Sequence, residues 1–250
     1  MARLHDPWFL AAAGLAVLLL GLSKGGFVGI GALGTPLLAL VISPVEAAAI
    51  MLPILIAQDV VGVWAFRRTW DRSILVIMLP GAALGVALAY LFASRVPEAA
   101  MQIALGGISI LFAIRSLWMQ RGGRVPAPAN PPRWFGFAMG LASGITSQIA
   151  HAGQPPFQIY VLPRRLPRDL LVGTTAIFFA ALNWIKVPAY LALGQFTRAH
   201  LLASLILMPI AIPSTLAGVW LVRRVNAERF YALIYWLMLL IGVKLVYDGI

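Results

Sequence analysis

The sequence predicts an all-α integral membrane protein built from two inverted repeats of about four hydrophobic segments each, with a discontinuous or re-entrant first helix in each repeat. Three observations lead there. Hydrophobic residues make up 61% of the 250-residue chain and charged residues 11%, and the mean hydropathy is +0.91, a balance that only lipid can solvate. Apolar stretches long enough to cross about 30 Å of hydrocarbon as helices recur along nearly the whole length. A glycine-rich segment near the N-terminus also returns, with the same spacing, past the middle of the chain.

In chain order the apolar blocks cover 7–42, 45–66, 73–93, 97–119, 134–162, 169–193, 199–222 and 229–248. Six have the length of one crossing helix. The first and fifth are too long for that and are interrupted by glycine and polar residues. The first block carries Asp6 beside Arg3 and continues through Lys24, so it reads as mature protein and not as a signal peptide. The proline-rich stretch RGGRVPAPANPPR separates repeat 1 (1–120), the linker itself (121–133) and repeat 2 (134–250).

The two long blocks are the repeated ones. GLSKGGFVGIGALGTP (Gly21–Pro36) lies over GLASGITSQIAHAGQP (Gly140–Pro155), matching Gly21, Gly34 and Pro36 to Gly140, Gly153 and Pro155. With small insertions Pro80 and Gly85 lie over Pro213 and Gly218, Glu98 over Glu228, and Arg115 over Lys244. Charge then orients the repeats. Eight simple crossings divide 17 flanking Lys and Arg residues 10 against 7. If both long blocks enter and leave on one side, the division becomes 13 against 4. One side then holds Arg67, Arg68, Arg72, Arg115, Arg121, Arg124, Arg133, Arg164, Arg165, Arg168, Arg223, Arg224 and Arg229, and the other Arg3, Arg95, Arg198 and Lys244. The second division obeys the positive-inside rule and turns the second repeat over relative to the first, with both termini outside. The net charge of +11 therefore marks membrane orientation, and no nucleic-acid partner is expected.

The interruptions carry the chemistry. SKGGFVGIG (Ser23–Gly31) has four glycines, which admit backbone forbidden to other residues and leave amides uncovered. Such backbone is tolerated at membrane depth only inside protein or along a wet cavity. A helix restarting there aims its free N–H groups at that cavity, which suits an anion. Lys24, with Gly25 and Gly26, lies in the first interruption, Lys186 lies deep in the sixth block, and Asp59 is the plausible intramembrane carboxylate. Lys186 could instead snorkel to the interface from its position eight residues before Gly194. Thr146, Ser147, Gln148, His151 and Gln154 form the polar second interruption, either as ligands of an oxyanion or as groups holding a hairpin together. Asn183, three residues before Lys186, shares its helix face. The expected substrate-binding set is Lys24, Gly25, Gly26, Gln148, His151, Asn183 and Lys186. Asp59 and His151 are candidates for proton coupling, with Asp59 alternatively a plain counter-ion to either lysine.

Enzyme chemistry finds no support. There is no HExxH pair, no nucleophile motif, no clustered carboxylates and no cysteine, so no catalytic residue, metal or cofactor is expected. The duplicated segments, with GTTAIFFAALNWIKVPAYLALGQF (Gly173–Phe196), resemble the TauE/SafE family of sulfite exporters, also known as the 4-toluene sulfonate uptake permeases. The likeness covers essentially the whole chain, and Gly173, Thr174, Asn183, Lys186 and Tyr190 are its most specific part. The resemblance implies a multi-pass permease of the bacterial inner membrane that moves sulfite, sulfonates or related sulfur- or carboxylate-bearing anions, commonly outward. The partners expected are a small anion, the lipid bilayer and, as an open alternative to a monomer, a second copy in a homodimer. An anion channel of the same fold and a carrier of small carboxylates are the rival readings.

Overall fold

Asp6 opens the first helix by accepting a hydrogen bond from the Trp8 N–H at 3.0 Å, with Pro7 at the first helical position, where its missing N–H costs nothing. The computed structural model describes residues 6–26, 30–93, 95, 97–121, 130–221 and 228–250. Most of the proline-rich linker, residues Phe27–Gly29 of the first interruption, and Arg3, Arg124, Arg223 and Arg224 of the charge pattern lie outside them.

All the regular structure among the described residues is helical. The helices are α1 (Pro7–Lys24), α2 (Gly34–Leu38), α3 (Pro44–Phe66), α4 (Arg72–Ala93), α5 (Glu98–Arg121), α6 (Arg133–Ala150), α7 (Gln154–Val161), α8 (Arg168–Ala192), α9 (Arg198–Leu221) and α10 (Glu228–Gly249). Six of them, α1, α3, α4, α5, α8 and α9, are long and apolar enough to cross a membrane. Trp8, Trp64, Trp70, Trp118, Trp134 and Trp220, which the sequence puts near span ends, are all exposed, as an aromatic belt requires.

Both long blocks break. After Lys24 the chain passes Gly25 and Gly26, the latter at φ 129°, a conformation other residues rarely adopt. It resumes in a 3-10 turn, Ile30–Leu33, that leads into α2. Gly31 then lies on Ser23 and Gly34 on Leu20, and Leu38 joins Phe9 and Ala13 in one core cluster, so α2 returns along α1. The second break repeats the device. α6 stops at His151, which stands at φ 53°, and α7 runs back so that Gly153 meets Ser143 and Tyr160 meets Gly136. The Ser143 hydroxyl closes this hairpin by donating to the Gly153 carbonyl at 2.7 Å.

Helix pairing is reciprocal. α1 packs on α9 and α6 on α4, while α3 pairs with α8 and α5 with α10. Glycines set the spacing. A methyl group on Gly21 or Gly25 would overlap Ser214 or Gly218, and one on Gly81, Gly85, Gly140 or Gly144 would overlap backbone across the α4–α6 contact. Gly106 meets Gly242 in the α5–α10 contact, whereas Gly107 beside it faces open space. This pairing leaves the two hairpin tips facing each other between α3 and α8.

A lysine centre between two hairpin tips

Each tip ends in the C-terminal turn of a helix, and each brings a polar cluster to the facing surfaces of α3 and α8. From the first, the Lys24 ammonium is ion-paired with Asp59 of α3, a residue 3% exposed. The other oxygen of that carboxylate accepts from the Asn183 amide at 2.6 Å. Asp59 lies 15 residues past the start of α3 and Asn183 15 past the start of α8, so the bond joins equivalent positions of two paired helices. The ammonium also stands 5.6 Å from the centre of the Phe179 ring, in cation–π range.

Lys186 is fully buried and does not snorkel. Its ammonium donates to the Ser147 carbonyl at 3.3 Å, the Ser147 hydroxyl at 3.0 Å and His151 Nδ1 at 2.6 Å, which uses all three of its protons. It sits at the C-terminal end of α6, where the helix dipole takes up part of its charge. His151 Nε2 lies 2.9 Å from the Ala48 carbonyl oxygen, which can only accept. That nitrogen therefore carries the ring proton, and Nδ1 presents its lone pair to Lys186, so the imidazole is neutral. Its backbone is left-handed where glycine is the usual occupant, a strain that the ring's two contacts hold in place.

The clusters meet across a cavity of about 30 Å³ bounded by Ser23, Lys24, Gly31, Ser147, His151, Gln154 and Asn183 among others. The Gln154 amide spans the two tips, 3.5 Å from the Ser23 hydroxyl. This space holds about two waters, too little for an oxyanion. The structure is thus a closed arrangement in which each lysine is satisfied by protein groups.

Of the residues expected to bind substrate, the fold brings Lys24, His151 and Asn183 to this cavity, and Lys186 lies behind its wall, bonded to Ser147 and His151. Gly25 and Gly26 shape the end of α1, and Gly25 rests on Gly218 and Val219 of α9. The Gln148 side chain lines a different, apolar cavity, and its backbone carbonyl accepts from the Tyr190 hydroxyl at 3.0 Å. Thr146 turns its hydroxyl back to the Ala142 carbonyl at 2.8 Å. The restart of α7 offers fewer donors than a generic helix end, because Pro155 and Pro156 occupy its first turn and lack N–H groups. Gly173 and Thr174, part of the most specific sequence pattern, pack under the α3–α4 turn. A methyl on Gly173 would overlap the Thr69 carbonyl, and the Thr174 hydroxyl accepts from the Asp71 N–H at 2.9 Å. Sequence reading placed no weight on Ser23 as a partner of Gln154 or on the Ala48 carbonyl. A backbone acceptor 103 residues from its donor leaves no trace in composition or spacing.

Among the described residues no group of three or more His, Asp or Glu could hold a metal ion. Comparison with curated proteins and with solved structures gives no match. A family model, Sulfite exporter TauE/SafE, matches residues 12–245. With that match across nearly the whole chain, on a multi-pass helical fold, the protein belongs to the TauE/SafE sulfite exporter family.

Proposed function

We propose that this protein is a secondary transporter of the bacterial inner membrane that exports a small anion, sulfite or an organosulfonate, by alternating access around the Lys24–Lys186 centre. The observation that carries the proposal is the charge held there. The half-buried Lys24 is paired with the one carboxylate, Asp59, while the fully buried Lys186 is held by the uncharged Ser147 and by His151. An excess positive charge away from water is costly, and a monovalent anion relieves it. Family membership supplies the chemical class.

In this reading Asp59 is a built-in anion that occupies Lys24 while no substrate is bound. Protonating Asp59 removes its charge and frees the ammonium for the substrate's oxygens. His151 does the same for Lys186, taking a proton on Nδ1 and turning from acceptor to donor. Proton uptake and anion binding are thereby coupled at one place. The hairpin tips must part to enlarge the cavity, and the reciprocal pairing of α1 with α9 and α6 with α4 supports two oppositely oriented repeats that rock against each other.

Reconstituted protein should show saturable sulfite or sulfonate uptake with counterflow, the signature of a carrier. Replacing Lys24 or Lys186 by Met should lower that flux about 10- to 100-fold, the loss expected for charge-assisted hydrogen bonds. Full flux in the variant lacking both lysines would remove them from the path.

A further inference from the structure

Beyond the lysine centre the fold holds a much larger cavity, of about 290 Å³, enclosed by the ends of α3, α4, α5, α6 and α8. Its walls are apolar except for Gln148, Tyr190 and Gln195, and Phe92 at its rim is exposed. It lies toward the loops that carry few arginines. On the arginine-rich side, toward Val172 and Thr175, a gap of about 10 Å³ among the described residues adjoins Lys24. The space around the centre is therefore lopsided.

What separates the large cavity from the small one is a layer of two rings. Tyr190 forms a wall of the first, His151 a wall of the second, and the rings stack with centres 6.1 Å apart and planes 24° apart. The layer is tied on both sides by the same residues that line the large cavity. The Gln148 carbonyl accepts from the Tyr190 hydroxyl, and the Ala48 carbonyl accepts from His151. Phe196 backs the Tyr190 ring at 5.8 Å, carried there by the turn at Gly194, whose φ is 66°. Gln148 Oε1 is buried with no hydrogen-bond partner, so this wall carries an unsatisfied amide.

We propose that the 290 Å³ cavity is the vestibule on the arginine-poor side of the transport path, and that Tyr190 is the barrier residue that closes it from the lysine centre. This rests on the centre being the substrate site. Opening needs the Tyr190–Gln148 bond and the ring stack to part, and because His151 holds Lys186, that movement also frees the Lys186 ammonium. The barrier and the binding group are thus released together. An anion on this side meets Gln195 in the surface turn and then the buried Gln148 beside the barrier.

The chain has no cysteine, so single introduced cysteines report accessibility against no background. Leu55→Cys probes the small cavity, which Leu55 lines, and Ala89→Cys probes the vestibule. With a membrane-impermeant, negatively charged thiosulfonate added to the arginine-poor side, Ala89→Cys should label readily. Leu55→Cys should be protected while Tyr190 is present and label at least about tenfold faster beside Tyr190→Ala, the factor set by about 1.4 kcal/mol of lost barrier. Tyr190→Phe, which keeps the ring and removes the hydroxyl bond, covers the case in which the alanine variant does not fold, and should give a smaller increase. Protection of Leu55→Cys unchanged in both Tyr190 variants would overturn the barrier, and an unreactive Ala89→Cys would overturn the vestibule. Labelling does not depend on which anion is carried, so a failure of the substrate reading leaves this test intact.

Discussion

Lys186, fully buried, and Lys24, half-buried, are held in different ways, and the difference predicts different responses to mutation. Lys186 is held by uncharged acceptors and the end of a helix, whereas Lys24 depends on one carboxylate. Asp59→Asn strands the Lys24 ammonium and should destabilise the protein by about 3–5 kcal/mol, while the double variant Lys24→Met, Asp59→Asn removes both charges and should recover most of that loss. Thermal unfolding of the four proteins in detergent measures the cycle, and additive losses would show that the two residues do not depend on each other. Both lysines, Asp59 and Asn183 stood out in the sequence because each is polar inside an apolar block. Their partners did not, since the bond from Asn183 to Asp59 spans 124 residues and only the folded chain decides it.

At the level of elements, glycine governs how closely helices approach. Gly85 lies where a methyl would overlap the Leu141 carbonyl, and Gly107 has nothing beside it. Gly85→Ala should cost about 1–3 kcal/mol by overpacking, and Gly107→Ala should stabilise α5 by up to about 1 kcal/mol through helix propensity. Equal effects would refute the packing role. The α3–α4 turn makes a second case. Asp71 caps α4, its carboxylate accepting from the Ser73 N–H at 2.7 Å and the Ile74 N–H at 3.2 Å. Burial raises its pKa, but the hydrogen bonds from Ser73 and Ile74 and the charge of Arg164 outweigh that and hold it below the ordinary 3.8. A lowered folded-state value means the contribution is present above pH 3.8 and is lost as pH falls through the folded value. Asp71→Ala should therefore cost about 1 kcal/mol at neutral pH, and the gap from the parent should narrow in acid. A gap that persists in acid would assign the effect to something other than the carboxylate. The prolines that strip donors from the start of α7 were visible in QPPF, yet their weight emerged only when α7 proved to begin at Gln154.

For the whole molecule, the sequence carried the architecture further than the site. Breaks in the first and fifth blocks follow from glycine and polar residues where a span should be apolar, and both are present, each as a helix that folds back on itself. The reciprocal pairing of α1 with α9 and α4 with α6 could not be read from a chain in which every helix is apolar around much of its circumference. Side-chain direction was equally hidden, so Gln148, one turn from His151, faces another cavity. Orientation is a prediction from charge: a cysteine at Arg68, in the α3–α4 turn, should react from the cytoplasm and one at Gln195, in the corresponding α8–α9 turn, from outside, and both reacting from one side would contradict inverted repeats. The most direct test of anion binding is thermal stabilisation of the purified protein by sulfite, sulfate, thiosulfate, sulfoacetate, toluenesulfonate and acetate, repeated on Lys186→Met. A ligand that binds only the folded protein raises its stability by mass action, by about 2.7 kcal/mol at 100 times its Kd. Stabilisation by sulfite or a sulfonate that vanishes in Lys186→Met is the predicted result; no response to any anion, or an equal response in the variant, would contradict a lysine-centred anion site.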